Sequence, residues 1–330
     1  MSDGTWRSRK VLVTGAGGFI GSHLVERLVE LGAEVRALVR YTSTGHSGWL
    51  ESSPAKSDVE VVLGDIRDFD SVHGAMRDRS IVFHLAALIG IPYSYRAAQS
   101  YVRTNIEGTL NVLQAARELA TERVLCTSTS EVYGTARSVP INEEHPLQGQ
   151  SPYSASKIGA DKIAESFYLS FGLPVSIVRP FNTYGPRQST RAVIPTIIAQ
   201  ALSGDEVRVG ALSPTRDFNY VSDTVEGFLC TACQPQAIGR TINIGSGVEI
   251  SIGDLASLIG RLLGKELVLV PEEKRVRPGN SEVERLCADA TLAHELLRWH
   301  SRVRLEDGLR QTIAWMEDNL QSYRAKEYAV

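Results

Sequence analysis

The sequence predicts an α/β protein built on a doubly wound parallel sheet, with a smaller, interleaved domain toward the C-terminus. Three observations support this fold class. Strand-like apolar runs alternate with helical segments in the first half of the chain, the first strand runs into a glycine-rich turn, and the alternation stops after Pro180. Strands that alternate with helices form parallel sheets, because each crossover helix packs on a face of the sheet and returns the chain to the end at which the previous strand began.

The strands of this sheet are short and rich in β-branched residues. In chain order they are RKVLVT, EVRALVR, VEVVLGD, SIVFHLAAL, RVLCTSTS and PVSIVRPFN, which begin at residues 9, 34, 59, 80, 123 and 174. The first helix has apolar residues at Leu24, Leu28 and Leu31 and ends at Gly32. A helical segment, NIEGTLNVLQAARELA, separates the fourth strand from the fifth. This order of elements is that of a doubly wound domain.

The glycine-rich turn after the first strand predicts a dinucleotide site. Gly15, Gly18 and Gly21 follow the strand and open the first helix. In that context glycines let the backbone turn tightly and approach a pyrophosphate, which then lies at the positive end of the helix. A plain strand-to-helix turn is the structural alternative. The spacing differs from GxGxxG and resembles the form found in short-chain dehydrogenases and reductases, so we expect a Rossmann domain.

The predicted dinucleotide-binding Rossmann domain spans residues 8–180, with 217–246 returning to it. The remaining segments, 181–216 and 247–330, are expected to form the substrate-binding domain. After Pro180 the chain shows a loop-rich stretch, a helix from Val193 to Ser203, the motif RDFNYVSD and a strand-like TINIGS. No internal repeat interrupts this pattern.

Composition and charge exclude several classes of function. The 330 residues are 43% hydrophobic and 22% charged, with a net charge of −3, so no basic stripe suggests a nucleic-acid partner. The N-terminal MSDGTWRSRK lacks the apolar core of a signal peptide, and the most apolar window, 81–92, is too short to span a bilayer. We expect a soluble, cytoplasmic protein with no membrane partner. Cys230 and Cys233 form a CxxC without a second ligand pair, which favours packed thiols over a metal site.

The end of the second strand bears on which dinucleotide binds. An acid at that position binds the adenosine ribose 2′-hydroxyl, whereas an arginine suits a 2′-phosphate. Here the strand ends at Arg40, whose permanently charged, planar guanidinium favours NADP over NAD. Asp65 and Ile66 end the third strand and would lie near the adenine edge. The structural alternative for Asp65 is a residue that stabilises a turn.

A tyrosine and a lysine one helical turn apart form a candidate base. The segment QSPYSASKIGADKIAESFYLSFG predicts a helix with Pro152 at its start and Gly172 at its end, which puts Tyr153 and Lys157 on one face. The pKa of a phenol is about 10 and must fall by roughly 3 units, about 4 kcal/mol, for the group to act as a base near neutrality. An ammonium about 5 Å away, at an effective dielectric constant near 20, contributes on the order of 3 kcal/mol of that free energy. A plain surface pair is the alternative interpretation.

These motifs together resemble the extended short-chain dehydrogenase/reductase family, in its branch of nucleotide-sugar epimerases and dehydratases. The resemblance runs from residue 11 to about 225 through TGAGGFIGSHL, GDIRD, HLAA, NIEGT, STSEVYG, YSASK, RPFNTYGPR and RDFNYVSD. PLQGQSPYSASKIGADKIAESF and RPFNTYGPRQSTRAVIPT resemble the 4,6-dehydratases of nucleotide-activated N-acetylglucosamine in pathways to legionaminic-acid-type sugars. VRALVR and the TSE triplet are similar to GDP-mannose 4,6-dehydratase, an NADP enzyme.

The resemblance implies roles for individual residues. Thr129 would hydrogen-bond the sugar 4-hydroxyl, Tyr153 would remove its proton, and Lys157 would lower the tyrosine pKa and hold the nicotinamide ribose. The cofactor, NADP or NAD, would be tightly bound and recycled. Its further contacts would be Phe19, Ile20, Leu85, Ala86, Ala87 and Asn105. The sugar diphosphate and nucleoside would be held by Asn182, Arg187, Arg216 and Arg277. The structural alternative for each arginine is a surface or ion-pair residue.

Glu131 distinguishes a dehydratase from a simple epimerase. Oxidation of C4 to a ketone acidifies the C5 proton, and a carboxylate beside the sugar can remove it. Loss of the C6 hydroxyl and hydride return to C6 then give a 4-keto-6-deoxy sugar, which would make the enzyme a hydro-lyase. Many dehydratases have Asp before this Glu, but this chain has Ser130, which either relays a proton through water or leaves Glu131 to return the proton it took. The structural alternative for Glu131 is a cap of the loop.

Three other functions remain open from the sequence. A nucleotide-glucuronate decarboxylase also carries STSEVYG, and a nucleotide-sugar 4-epimerase needs only the hydroxyl, Tyr153 and Lys157. A nucleotide-sensing regulator on the same fold could dispense with that set. The family's two-fold four-helix interface involves the helices expected at 105–119 and 152–171, whose extra apolar residues predict a homodimer.

Overall fold

A computed structural model describes residues 5–323 and confirms the predicted fold class. The described strands are β1 (Lys10–Thr14), β2 (Glu34–Arg40), β3 (Val59–Gly64), β4 (Ile81–His84), β5 (Arg123–Thr127), β6 (Val175–Pro180), β7 (Asn182–Tyr184), β8 (Glu206–Val209), β9 (Thr215–Tyr220), β10 (Thr241–Ile244), β11 (Glu249–Ser251), β12 (Val268–Pro271) and β13 (Arg285–Leu286). Seven of them form a sheet in the order β10-β6-β5-β4-β1-β2-β3, and every neighbouring pair is parallel.

The described helices are α1 (Phe19–Glu30), α2 (Phe69–Met76), α3 (Ile91–Ser94), α4 (Ala98–Tyr101), α5 (Gly108–Glu118), α6 (Pro152–Phe171), α7 (Val193–Ser203), α8 (Val221–Cys233), α9 (Ile252–Leu263), α10 (Thr291–Leu297) and α11 (Leu305–Asp318). A π-helical segment, Val102–Glu107, joins α4 to α5. The sequence signals for α6 were correct: Ser151 and Ser154 form a reciprocal cap at its start, and Gly172 ends it in the left-handed conformation.

The sheet separates two apolar cores, as the alternation along β1 requires. Val11 and Val13 pack with Leu24 of α1 and Phe228 of α8, whereas Leu12 packs on the other face with Val112 of α5. Helices therefore cover both faces, which is the arrangement of a doubly wound sheet. None of the helices among residues 5–323 is long and apolar enough to cross a membrane.

The direction of winding reverses between β1 and β4, and this switch point is where open α/β sheets bind ligands. Thr14 and His84 end these two strands, and Thr14 Oγ1 lies 2.9 Å from His84 Nδ1. His84 Nε2 lies 3.0 Å from Thr109 Oγ1 on α5. Burial lowers the pKa of His84 to about 3, so its ring is neutral. Through these two contacts the ring connects the ends of β1 and β4 to α5.

The chain after Pro180 builds a second region beside the crevice. Strands β7, β9, β11 and β13 form a small sheet, and β8 pairs with β12. The segment predicted to return to the Rossmann domain supplies α8, which packs in the core with α1, and β10, the edge strand of the large sheet. The last part of the predicted substrate-binding domain, 324–330, lies outside the described residues.

Candidate active site

The glycine turn after β1 forms a cradle of backbone groups. Gly15 has a φ of 68°, and its N–H donates to the Leu38 carbonyl at 3.1 Å. A Cβ at Gly15 would lie 2.8 Å from the Ala86 nitrogen, and one at Gly21 would lie 2.3 Å from the Gly15 carbonyl oxygen. Side chains are therefore excluded here, because the strand ends approach too closely.

The first turn of α1 is open to a ligand within the described part of the chain. Gly18 is the N-cap residue and no side chain caps it, while the first turn, which includes Phe19 and Ile20, contains no acid. Uncapped N–H groups at the start of a twelve-residue helix favour an anion. The cradle and this helix end fit the pyrophosphate of a dinucleotide.

Asn105 ties the loop after β4 to the helix that carries the tyrosine. Its Oδ1 accepts from the Leu88 N–H at 2.8 Å, and its Nδ2 donates to Ser156 Oγ at 2.9 Å. It lies in the π-helical segment, a rare geometry that occurs often at functional sites. The structure thus brings Asn105 beside the loop of Leu85, Ala86 and Ala87, two of whose N–H groups donate to Thr14 Oγ1.

Arg40 and Asp65 lie at neighbouring strand ends, as predicted. Arg40 pairs with Gly64 in the register of β2 and β3, and its side chain is exposed. Asp65 accepts from Arg67 Nε at 3.0 Å, and this contact, more than the charge of Arg40, holds the pKa of the Asp65 carboxyl below its ordinary value. Ile66 is buried. The carboxylate of Asp65 is therefore already partnered, whereas Arg40 projects from the end of its strand.

Thr129 and Tyr153 meet at the centre of the site. The Thr129 hydroxyl faces the Tyr153 phenol and lowers its pKa against the larger, opposite effect of burial. Lys157 donates to the Thr127 carbonyl at 2.6 Å, and burial lowers its pKa while Asp161 raises it. The sequence argument placed the Tyr153 pKa under the control of Lys157. In the structure burial dominates, so the pKa of the phenol is raised.

The turn that follows β5 carries Ser130 and Glu131. A 3₁₀ turn spans Ser130–Tyr133, and Thr129 Oγ1 caps it by accepting from the Glu131 N–H at 3.2 Å. The Glu131 side chain, only 9% exposed, instead points its Oε2 to within 3.5 Å of Arg277 Nη1. Thr129 fills the capping role that was the structural alternative for Glu131, which leaves the carboxylate directed into the site.

Arg216 and Arg277 form a charge cluster with Glu131 and Glu282. Arg216, 6% exposed, donates to Glu282 Oε1 at 3.2 Å, and Arg277 Nη1 lies 3.8 Å from the same oxygen. Burial lowers the pKa of Arg216, and the two acids oppose this. Sequence reasoning missed Glu282, although it follows closely in the RPGNSE motif that contains Arg277.

The other two predicted substrate contacts have different surroundings. Asn182 Oδ1 is buried and has no hydrogen-bond partner within residues 5–323, which suits a group that a ligand would satisfy. Arg187 has a φ of 72° and donates to Ser22 Oγ at 3.1 Å and Glu26 Oε1 at 2.8 Å, both on α1. The structure therefore directs Arg187 to α1, and not into the cluster of Arg216 and Glu282.

The cysteines have the properties of packed thiols. Cys230 and Cys233 lie on α8 against the core, and burial raises the pKa of Cys233 to about 11. Cys126 is buried in β5, and its pKa is raised to about 12. Thiols with such pKa values are almost fully protonated at neutral pH and are poor nucleophiles.

Comparison with known proteins places this arrangement among nucleotide-sugar enzymes. Residues 12–312 match the family described as GDP-mannose 4,6 dehydratase. The chain is 36% identical to a UDP-N-acetyl-alpha-D-glucosaminuronate decarboxylase of Bacillus cytotoxicus, over 94% of this chain and 98% of the relative. It is 33% identical to a UDP-glucose 4-epimerase of Mycolicibacterium smegmatis, over 94% and 100%.

A solved structure extends the comparison to a dehydratase. DesIV, a dTDP-glucose 4,6-dehydratase from Streptomyces venezuelae crystallised with NAD, superposes with a TM-score of 0.86 at 30% identity, covering 95% of this chain and 98% of that one. Proteins similar to this chain thus include a decarboxylase, an epimerase and a dehydratase on one fold.

Proposed function

This chain belongs to the GDP-mannose 4,6-dehydratase-like family of extended short-chain dehydrogenases/reductases, and from that premise we propose that it is a nucleotide-sugar 4,6-dehydratase acting on a nucleotide-activated N-acetylhexosamine. The observation that carries the proposal is the Glu131 carboxylate. It lies two residues after Thr129, on the turn that meets Tyr153, and it does not serve as the cap of that turn. An epimerase has no use for a base at this place.

The residues present fit a nicotinamide dinucleotide. Gly15, Gly18 and Gly21 would receive the pyrophosphate, Asn105 would support the loop after β4, and Lys157 would hold the ribose. When bound, the nicotinamide supplies a hydride acceptor for C4 and a hydride donor for C6. The exposed guanidinium of Arg40 at the end of β2 favours the phosphorylated dinucleotide, NADP, although the DesIV structure contains NAD.

The chain's own groups divide the proton transfers. Tyr153 takes the proton of the sugar 4-hydroxyl, which Thr129 orients. Glu131 then removes the C5 proton, which the new C4 ketone has acidified, and the C6 hydroxyl leaves as water. Ser130 is buried at the start of the same turn and relays the proton to the departing hydroxyl through water, or Glu131 returns the proton it took. A hydride supplied at C6 by the nicotinamide and a proton delivered to C5 would complete the 4-keto-6-deoxy sugar. The two protons taken from the 4-hydroxyl and from C5 then equal the two that the departing hydroxyl and C5 receive, and there is no net redox change.

The substrate diphosphate would lie against the charge cluster. Arg216 and Arg277 supply guanidinium donors suited to phosphate oxygens, and Asn182 supplies an unsatisfied buried acceptor for the sugar or nucleoside. In the structure Glu282 occupies both arginines, so an incoming diphosphate would take over contacts that an acid now makes.

Decarboxylation is the second candidate, and the 36% identity to a UDP-N-acetylglucosaminuronate decarboxylase favours it. In that reaction the substrate carries a C6 carboxylate and Glu131 would assist loss of CO₂. To decide, the purified protein is incubated with UDP-, GDP- and dTDP-linked hexoses, N-acetylhexosamines and uronates, and the products are weighed. Loss of one water from a neutral sugar supports the proposal. Loss of CO₂ from a uronate, or a product of unchanged mass, contradicts it.

We also propose a homodimer that pairs α5 and α6 across a two-fold axis. Large apolar side chains are exposed on α6, where Leu169 is 73% exposed and Phe171 49%, and on the π-helical segment that precedes α5, where Val102 is 45% exposed. Burying such side chains in a two-fold interface would remove them from water. Sedimentation equilibrium at micromolar concentration should give twice the chain mass, and a single-chain mass would contradict the pairing.

A further inference from the structure

Both ends of the turn that carries Glu131 are fastened to a single buried ion pair. We call residues 128–133 the catalytic turn. At its first end, Ser128 Oγ donates to Asp161 Oδ2 at 2.7 Å. The same carboxylate oxygen accepts from Arg179 Nε at 3.2 Å and Nη2 at 3.0 Å, and the side chains of the pair are only 4% and 5% exposed.

The second end of the catalytic turn is held by the same arginine. Arg179 Nη1 donates to the Tyr133 hydroxyl at 3.0 Å, and its guanidinium lies 5.0 Å from the centre of the Tyr133 ring. The Tyr133 hydroxyl in turn donates to Asn243 Oδ1 at 2.7 Å, on the edge strand β10. Arg179 thus spans from the acid that holds Ser128 to the phenol that closes the turn.

The ion pair also connects the catalytic turn to the helix of Tyr153. Asp161 lies on α6 one helical turn after Lys157, and its charge raises the pKa of Lys157 against the effect of burial. Three parts of the site therefore interact with the one carboxylate of Asp161: the Ser128 end of the turn directly, the Tyr133 end through Arg179, and Lys157 on α6 through its charge.

Fold stability alone gives a poor reason for such an arrangement. Replacing a buried ion pair by apolar side chains of similar volume is often neutral or stabilising, because two charges must be taken out of water. A buried polar network whose members are satisfied does fix one geometry, however. Arg179 lies on β6, the strand beside β5, whose end carries the catalytic turn. The two strands are joined there, because the Ser128 N–H donates to the Val178 carbonyl at 2.7 Å.

We propose that Asp161 and Arg179 are positioning residues that hold the catalytic turn against α6. The Ser128 end sets Thr129 against Tyr153, and the Tyr133 end sets the direction of Glu131. The inference rests on the proposed function, because it assigns Glu131 a step of its own. Its consequence is that the two ends control different steps: loosening the Tyr133 end impairs C5 proton removal, and loosening the Ser128 end impairs C4 oxidation.

The first test removes one hydroxyl from the Tyr133 end, because Asp161 or Arg179 variants risk failing to fold. Tyr133→Phe keeps the ring but loses the contacts to Arg179 and Asn243. Tyr220→Phe is the control, since it also removes a tyrosine hydroxyl, one that makes a single contact of 3.0 Å to Gln311 Oε1 in the other region. We expect the larger loss of thermal midpoint in Tyr133→Phe, which gives up two buried contacts.

The steps are then measured separately for Tyr133→Phe. Rapid mixing follows appearance and disappearance of reduced nicotinamide, and mass spectrometry follows C5 exchange with deuterated water. Reduced nicotinamide should appear at the wild-type rate, while its disappearance and C5 exchange slow by about tenfold to a hundredfold, as a misplacement near 1 Å would cause. Tyr220→Phe should show neither delay. Equal slowing of both steps, or no slowing beyond that of Tyr220→Phe, overturns the proposal.

The second test loosens the Ser128 end. Ser128→Ala loses the contact to Asp161, and Ser176→Ala, which loses a contact of 2.6 Å to the Ala237 carbonyl, is its control. Ser128→Ala should slow the appearance of reduced nicotinamide more than Ser176→Ala does, and an unchanged rate overturns this part. Failure of the proposed function is recognised separately: the wild-type product would then show loss of CO₂ or unchanged mass, whereas failure of this inference leaves wild-type dehydration intact and shows only in the variants.

Discussion

The glycine cradle and the charge cluster of Arg216, Arg277, Glu131 and Glu282 are built on opposite principles. The cradle consists of backbone atoms from one short segment, and its shape depends on absent side chains: a Cβ at Gly21 would lie 2.3 Å from a carbonyl oxygen. The cluster consists of side chains from separate segments of the chain, and its members pair with one another. The first kind of site tolerates no added atom, whereas the second can exchange partners.

This difference teaches how each site would accept its ligand. The N–H groups at the start of α1 have no side-chain cap among residues 5–323, so a pyrophosphate would meet a preformed site. Arg216 is buried and already has the Glu282 carboxylate, so a diphosphate there must compete with an acid. We expect steric changes at the cradle to weaken dinucleotide binding, and charge changes at the cluster to impair proton transfer and substrate binding.

The largest effect is expected from Glu131→Gln, which removes the proposed base from the charge cluster. The amide keeps the shape but cannot take a proton, so removal of the C5 proton should slow by a factor of about 10² to 10⁴. Reduced nicotinamide and a 4-keto sugar that retains its C6 oxygen should accumulate, as absorbance and product mass will show. Tyr153→Phe should instead prevent the first oxidation.

Glu284→Gln is the control for the base, because Glu284 is an exposed acid on the segment that carries Glu282. Wild-type dehydration by Glu131→Gln, with normal C5 exchange, would show that the carboxylate has no part in the reaction.

The cradle is broken most directly by Gly21→Ala. The added methyl group would collide with the Gly15 carbonyl, and the backbone of β1 and α1 cannot move apart without opening the turn. We expect the affinity for the dinucleotide to fall by about a hundredfold, a loss near 2.7 kcal/mol. Calorimetric titration of the nucleotide-stripped protein measures it.

Gly74→Ala is the matched change in α2, where a Cβ would meet nothing within 4 Å. Its helix should gain about 0.5–1 kcal/mol, since alanine is the better helix former. Nucleotide binding by Gly21→Ala at the strength of Gly74→Ala would mean that the cradle is not the dinucleotide site.

The contrast also explains what the sequence could predict. The glycine spacing, the bounds of α6 and the helix Val193–Ser203 depend on neighbouring residues, so local rules located them. Arg187 pairs with Glu26, 161 positions away, and Asp161 pairs with Arg179 across two elements. No periodicity indicates such partners. The motifs predict Thr129, Tyr153 and Glu131 as reactive side chains and Arg216 and Arg277 as their neighbours, but they give no sign of Glu282 or of the pair of Asp161 and Arg179.

Arg40 is a charged side chain predicted to contact the same dinucleotide as the glycine cradle, so it tests whether a charge contributes to a site formed mainly by backbone groups. Arg40→Ala should leave NAD affinity unchanged and weaken NADP by at least about tenfold, because one charge-assisted hydrogen bond contributes roughly 1.5–3 kcal/mol. Competition titrations with both dinucleotides measure the ratio. Arg67→Ala is a useful second variant, since it releases the Asp65 carboxylate that Arg67 now holds. An unchanged NADP-to-NAD ratio in Arg40→Ala would remove the argument for NADP.

The smallest effect concerns pH, and it separates the two kinds of site once more. The dinucleotide affinity should hardly vary between about pH 6 and 9, because backbone N–H groups do not titrate in that range. Catalysis should vary, because burial raises the pKa of Tyr153 and lowers that of Lys157. The ionised phenol is the base and its pKa is raised, so kcat/KM should rise with pH while Lys157 keeps its proton, and it should level off where Lys157 loses that proton, below the range of a free lysine. Asp161 raises the Lys157 pKa, so Asp161→Asn should move this plateau to lower pH, while an unchanged dinucleotide affinity at neutral pH shows that the variant is folded. A plateau that begins at the same pH in both proteins would show that the Asp161 charge does not reach the lysine during turnover.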